Sequence, residues 1–254
     1  MKTPTHTRHI LHALEAQHPG ADTELAYRNP FELLVATILS AQSTDRGVNL
    51  ATPELFRRYP TAHALARAAP GEIEPLIHST GFFRAKAKAL LDMARALVDR
   101  HGGDVPADME ALTTLRGVGR KTASVVLGHA LGVPALPVDR HVLRVANRIG
   151  IADSDDPAVV EAQLCAALLD SRWTRASDVL IFHGRRVCKP TPLCDLCAVR
   201  DDCDYVRTLE AARPRGSAAR RRRSAPRRSA RGRAVKAGRP TARAAARKGP
   251  RKRR

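Results

Sequence analysis

Large aromatic residues are scarce in this chain: one Trp, three Tyr and five Phe make up 4% of 254 residues. Its core must therefore be built mainly from Leu, Val, Ile and Ala. Long apolar runs are missing as well. No stretch reaches the length needed to span a bilayer, and the first twenty residues lack the uninterrupted apolar block of a secretory leader. No membrane partner is expected, and a reducing compartment is, where paired disulfides are disfavoured. Apolar–polar alternation with a period of two, the mark of half-buried strands, is absent over any useful length. Acidic residues are missing from the last segment. Residues 211–254 carry 19 Lys and Arg and no Asp or Glu, while residues 1–210 carry 25 of each sign. The whole net charge of +19 belongs to this tail.

What is present is helical periodicity. A short amphipathic pattern over 7–18 places Ile10, Leu11 and Leu14 on one face. Asn29-Pro30 then opens FELLVATILSAQ, apolar nearly all round and so expected to be buried. Further helices are predicted at about 46–58, 61–69, 71–78 and 84–101, and again at 157–170 and 173–187. Phe82 and Phe83 cannot both face one core from one side of a helix, so one ring is expected at the surface.

The stretch from Leu112 to Arg148 carries the chemistry. Leu115-Arg116-Gly117-Val118-Gly119-Arg120 joins two helical patterns. Two glycines one residue apart allow a tight turn through φ > 0, with amides near Gly117, Val118 and Gly119 facing outward at a helix start, an arrangement suited to a phosphate oxygen. A lone Gly-x-Gly is more often a plain connector. Lys121 shifts the balance, because an amine in the first turn of a helix is a candidate nucleophile. Eighteen residues later, Pro137-Val138-Asp139 precedes the pattern Val142, Leu143, Val145, Ala146, Ile149. Capping alone accounts for Asp139; together with Lys121 it reads as a carboxylate serving an amine. His141, Arg144 and Arg148 share one helical face by spacing, a face that either lines a phosphate backbone or is simply solvated.

Four cysteines, Cys188, Cys194, Cys197 and Cys203, lie within sixteen residues. Four thiolates in one compact loop imply a soft tetrahedral site, either zinc or an iron–sulfur cluster, and spacing leaves both open. Cys165, in an apolar helical pattern, reads as a core residue. The tail, rich in Arg, Ala, Pro and Gly, cannot bury enough surface to fold; it is expected to be disordered and to tether nucleic acid without sequence preference.

GVGRKTASVVL followed by VDRHVLRVANR resembles the endonuclease III group of helix-hairpin-helix DNA glycosylases, and the resemblance runs from about residue 25 to residue 205. It implies an all-α fold of two helical domains with a DNA-binding cleft between them: a six-helix domain over 23–133 holding the hairpin, a discontinuous domain of 1–22 and 134–210 holding the cysteine loop, and the basic tail 211–254. It implies catalysis by Lys121 and Asp139 in a combined N-glycosylase and abasic-site lyase that acts on oxidised or ring-saturated pyrimidines. DNA contacts are expected from Gln42, which enters the stack where the damaged nucleotide has left, from Phe82 as a wedge, and from Gly117, Val118, Gly119, Arg120, His141 and Arg144. The resemblance also tips the cysteine site to a [4Fe–4S] cluster, and it implies a monomer acting on double-stranded DNA with damaged bases or abasic sites. Location follows as cytoplasmic, nucleoid-associated in a bacterium rather than nuclear.

Two departures stand out. The first cysteine interval has five intervening residues where the family commonly has six, and Arg140 stands where most relatives have Thr. Rival readings are a monofunctional adenine- or thymine-mismatch glycosylase and a non-catalytic architectural DNA-binding protein. The first normally lacks the lysine, and the second needs neither Lys121 nor Asp139.

Overall fold

The computed structural model describes residues 1–212. Among these the secondary structure is helical throughout, with no strand. In chain order the helices are α1 (Pro4–Gln17), α2 (Pro30–Leu39), α3 (Asp45–Arg58), α4 (Ala62–Ala66), α5 (Pro70–Ile77), α6 (Phe83–His101), α7 (Met109–Thr113), α8 (Arg120–Ala130), α9 (Arg140–Ile149), α10 (Pro157–Ala167), α11 (Trp173–Arg186) and α12 (Asp204–Ala211). Helix starts follow local chemistry. Side chains of Thr3, Asn29, Thr44, Thr61, Asp108, Asp139 and Asp156 each accept from an amide of the first turn, which satisfies donors that the helix cannot. The helix expected over 61–69 is shorter, because Pro70 starts α5 and forces the preceding residue out of helical backbone.

Two apolar cores hold the chain together. The first gathers Leu33, Leu34, Val35, Leu55, Ile73, Leu90, Met93, Leu112 and Val126 from α2 to α8. At its centre is α2, with every residue from Phe31 to Leu39 buried. Truncating a fully buried leucine there, such as Leu34, would cost about 2–5 kcal/mol through lost transfer energy and a cavity. Glu32 is buried in this helix as well, satisfied by Arg28 at 2.6 Å. Seven helices contribute to this core rather than the expected six, α7 being a separate five-residue turn.

The second core gathers Ile10, Leu11 and Leu14 of α1 with Val142, Val145, Val160, Leu164, Val179, Leu180 and Val206. Residues from the two ends of the described chain therefore share one interior. Cys165 packs against it, half-buried, as its apolar setting foretold. The chain passes from the first core to the second between Ala135 and Leu136. The basic tail lies outside the described residues beyond Ala212, and Ala211 is the last residue of α12.

Candidate active site

The hairpin between α7 and α8 is a consequence of three residues. Leu115 and Val118 plunge into the first core, 2% and 5% exposed. Gly117 lies between them at φ 81°, where an added Cβ would sit 3.3 Å from that of Ala89 and 3.5 Å from Ile38. Positive φ and close approach together require glycine there. Gly119 differs from expectation: at φ −94° it is extended backbone and serves as the N-cap of α8. The amide of Val118 is also not available to a ligand, because it donates to the Leu115 carbonyl at 3.1 Å to close the turn. With glycine at its cap, α8 begins without a side-chain acceptor, so its first-turn amides, including that of Arg120, keep their donors for an outside partner.

Lys121, in that first turn, is exposed and lines a cleft of about 830 Å³. Asp139, Gln42, Arg140, His141 and Arg185 line the same cleft. Lys121 and Asp139 thus stand at the N-termini of α8 and α9, brought to one cavity from two helices. Asp139 caps α9 through one oxygen only: Oδ1 accepts from the amides of His141 at 2.6 Å and Val142 at 2.9 Å. Oδ2 takes no part in the capping. His141 is half-buried, and burial first, then the charges of neighbouring arginines, lowers its pKa against the pull of Asp139. Arg144 sits 3.2 Å from its Nδ1; since a guanidinium only donates, Nδ1 accepts and the proton lies on Nε2.

Gln42 and Phe82 are the two non-glycine residues with positive φ among the described residues, at 55° and 48°. Side chains hold that conformation only where the surroundings impose it, and such strain gathers at functional positions. Phe82 is 68% exposed, whereas Phe83 packs 4.5 Å from the His78 ring. The exposed ring is the one read as a wedge. Phe82 is not part of the cleft wall; it projects from the neighbouring loop.

Three arginines expected on DNA or on an open face are turned to the protein itself. Arg144 donates to the carbonyls of Gly184 at 3.0 Å and Cys188 at 3.1 Å, and Arg148 donates to those of Lys189 at 2.6 Å and Pro190 at 3.0 Å. The face shared by these arginines therefore closes on the end of α11 and on the cysteine loop, whose free carbonyls need donors, instead of facing a phosphate backbone or solvent. Arg120 forms a two-pronged ion pair with Glu161 of α10 at 2.8 Å. Sequence reasoning missed Arg185, which reaches Asp45 at 2.7 Å and also pairs with Glu24 across the cleft edge. It also missed Lys86, buried under the loops of Gln42 and Phe82. A charge on the apolar stripe of α6 was the available signal.

The cysteine loop closes the second core. Cys188 and Cys203 are buried, Cys194 and Cys197 half-buried. Burial pushes the Cys197 thiol up to about 11, and the charges of Cys203, Cys188 and Cys194 add to that, so all four sulfurs are electrostatic neighbours. Arg148 approaches the Cys188 sulfur at 3.6 Å, a cation beside a set of potential thiolates.

A helical hairpin delivering an amine, an aspartate capping the next helix and a cleft between two helical cores define a class. The family described as HhH-GPD superfamily base excision DNA repair protein matches residues 35–168. Endonuclease III of Synechocystis sp. is 49% identical over 196 residues, 76% of this chain and 90% of that one. Endonuclease III of Escherichia coli (strain K12) is 39% identical over 202 residues, 79% of this chain and 96% of that one. The solved structure of a trapped endonuclease III–DNA covalent intermediate, an estranged-adenine complex, superposes with a TM-score of 0.78 at 40% identity, over 83% of this chain and all of that one. The chain belongs to the endonuclease III family. A thermostable thymine-DNA glycosylase shares the fold at 23% identity and a TM-score of 0.71.

Proposed function

We propose that this protein excises oxidised or ring-saturated pyrimidines from double-stranded DNA and then cuts the abasic strand by β-elimination. The observation that carries this reading is the meeting of Lys121 and Asp139 in one cleft, from the starts of two helices. A base inside a duplex cannot be attacked in place, so its nucleotide must rotate out, which costs a few kcal/mol, less for a badly stacked lesion. The first-turn amides of α8 hold phosphate oxygens, and Gln42 and Phe82 fill the vacated space.

Lys121 then attacks the sugar C1′ while the bond from C1′ to the base breaks and the base leaves with the electron pair. Asp139 takes the proton that the amine loses, and its charge opposes the positive character that grows on the sugar. Opening of the sugar gives a Schiff base between C1′ and Lys121. This acidifies the C2′ proton, whose removal expels the 3′ phosphate. Phosphate binding alone needs neither Lys121 nor Asp139, which argues against an architectural role. A lysine at this place argues against a monofunctional mismatch glycosylase.

Cys188, Cys194, Cys197 and Cys203 would hold a [4Fe–4S] cluster. Four thiols on one loop, two buried and two half-buried at the edge of the second core, are the soft donors such a group takes. Bound there, the cluster would cross-link the loop; Lys189 and Arg186 at its edge would meet phosphates. We further propose that the two cores act as domains, 23–133 against 1–22 with 134–210, and that the protein works as a cytoplasmic monomer. No helix among the described residues is long and apolar enough to cross a membrane.

The test is turnover of two duplexes, one with a single oxidised pyrimidine and one with an abasic site. Base release with strand cleavage supports the reading. Release without cleavage makes the protein a monofunctional glycosylase, and binding without either product makes it an architectural protein.

A further inference from the structure

Lys86 is the one lysine of α6 that faces inward, on the stripe of Ala87, Leu90, Met93 and Leu97, and it is 6% exposed. A methionine or leucine would suit the stripe better if packing were its only task. Burial lowers its pKa, and no carboxylate contributes to offset that. Instead the ammonium spends all three donors on oxygens: the Leu39 carbonyl at 2.8 Å, the Ser43 hydroxyl at 2.9 Å and the Thr80 carbonyl at 2.7 Å. Ser43 in turn donates to the same Thr80 carbonyl. Leu39 ends α2, where the helix dipole is negative and welcomes a cation.

These acceptors bracket the two strained residues. Leu39 and Ser43 flank Gln42 at φ 55°, and Thr80 precedes Phe82 at φ 48°. The backbone amide of Lys86 also donates to the Phe82 carbonyl at 3.0 Å. One side chain therefore ties together two loops forty residues apart in sequence, each carrying a left-handed side chain. Strained backbone persists where the surroundings over-determine it, and this node supplies that constraint.

We infer that Lys86 is a positioning residue, a buried clasp that joins the Gln42 loop to the Phe82 loop so that both side chains enter the base stack as one unit. The inference rests on the proposed glycosylase reading. It places the effect of Lys86 at strand opening, before any bond to C1′ forms.

Lys86→Met keeps the apolar stem and removes the donors; Lys86→Arg keeps a charge and donors. Borohydride trapping rates are compared for an abasic site in a paired duplex and in an unpaired bubble, with 2-aminopurine beside the site reporting unstacking. We expect Lys86→Met to lose about tenfold or more on the paired duplex, with a diminished 2-aminopurine rise, yet to stay within about threefold on the bubble, where opening costs little. Lys86→Arg recovers most of the paired-duplex rate. An equal fall on both substrates, or no fall on either, overturns the clasp. If Lys86→Met fails to fold, Ser43→Ala carries the test: a fall in the paired-to-bubble ratio supports the clasp, and an unchanged ratio overturns it. Wild-type protein that traps neither substrate overturns the lyase reading itself, and the 2-aminopurine signal then decides the clasp alone.

Discussion

Gln42 and Phe82, forty residues apart, share a left-handed backbone that no other non-glycine residue adopts among the described residues. Left-handed geometry costs an L-residue roughly 1–2 kcal/mol, whereas glycine brings an unfolded-state penalty of roughly 0.5–1 kcal/mol. The difference is neutral or favours glycine. Gln42→Gly and Phe82→Gly should therefore leave unfolding stability in denaturant unchanged or raise it by up to about 1.5 kcal/mol. Each should still slow excision from a paired duplex by about tenfold, because the opened stack loses its filler. A large stability loss with unchanged excision would assign these residues to folding instead.

Asp139 performs two tasks that substitution can separate. Asn at this position still caps α9, while Ala does not; the lost cap costs about 0.5–2 kcal/mol. Urea unfolding should show Asp139→Asn within a few tenths of a kcal/mol of the native protein and Asp139→Ala about 1 kcal/mol below it. Both should lose about 10²–10⁴-fold in single-turnover excision, since neither can accept a proton from the amine. Near-native excision by the Asn variant would leave Asp139 as a cap only.

His129, on α8, sets Nε2 3.2 Å from Asp178 of α11 and Nδ1 3.4 Å from Asp22. Only the doubly protonated ring donates to both. Burial opposes that charge, but the hydrogen bond and charge of Asp178, with the charge of Asp22, outweigh it and raise the His129 pKa above 6.5. The folded protein thus holds this proton more tightly than the unfolded chain. Its stabilisation is fully present below pH 6.5 and is lost as pH rises through the raised value. Calorimetric Tm should fall over that window in the native protein and fall less in Asp178→Asn. Equal slopes would remove the pair from the pH dependence.

Truncation after Ala212 removes 19 Lys and Arg and no acid. The slope of log K against log salt follows the number of phosphates neutralised, at about −0.9 for each. DNA binding by the truncated protein should be weaker at low salt and its slope shallower by several units, with single-turnover chemistry unchanged. Coincident isotherms across a salt titration would deny the tail its tethering role.

Much of this site was legible because its key residues carry local signatures. Gly117 and Lys121 are fixed by one turn, and Asp139 by a helix start that begins with proline, valine and aspartate. Helical spacing also grouped His141, Arg144 and Arg148 correctly. It could not say what that face meets: the two arginines reach carbonyls at the end of α11 and in the cysteine loop, while His141 lines the cleft. Gly119 was misread because two neighbouring glycines look alike in sequence, while only Gly117 lies against Ile38 and Ala89. Lys86 escaped notice because its partners come from 39, 43 and 80. Arg185 did so because Asp45 lies 140 residues away. Such contacts are made by the fold and leave no pattern along the chain.

In the proposed reaction the Lys121 amine forms a covalent bond to deoxyribose. Borohydride added to the 254-residue protein with abasic duplex should yield a stable protein–DNA adduct, and Lys121→Gln should abolish it while still binding the duplex. An adduct of undiminished yield in that variant would place the nucleophile elsewhere and rule out Lys121.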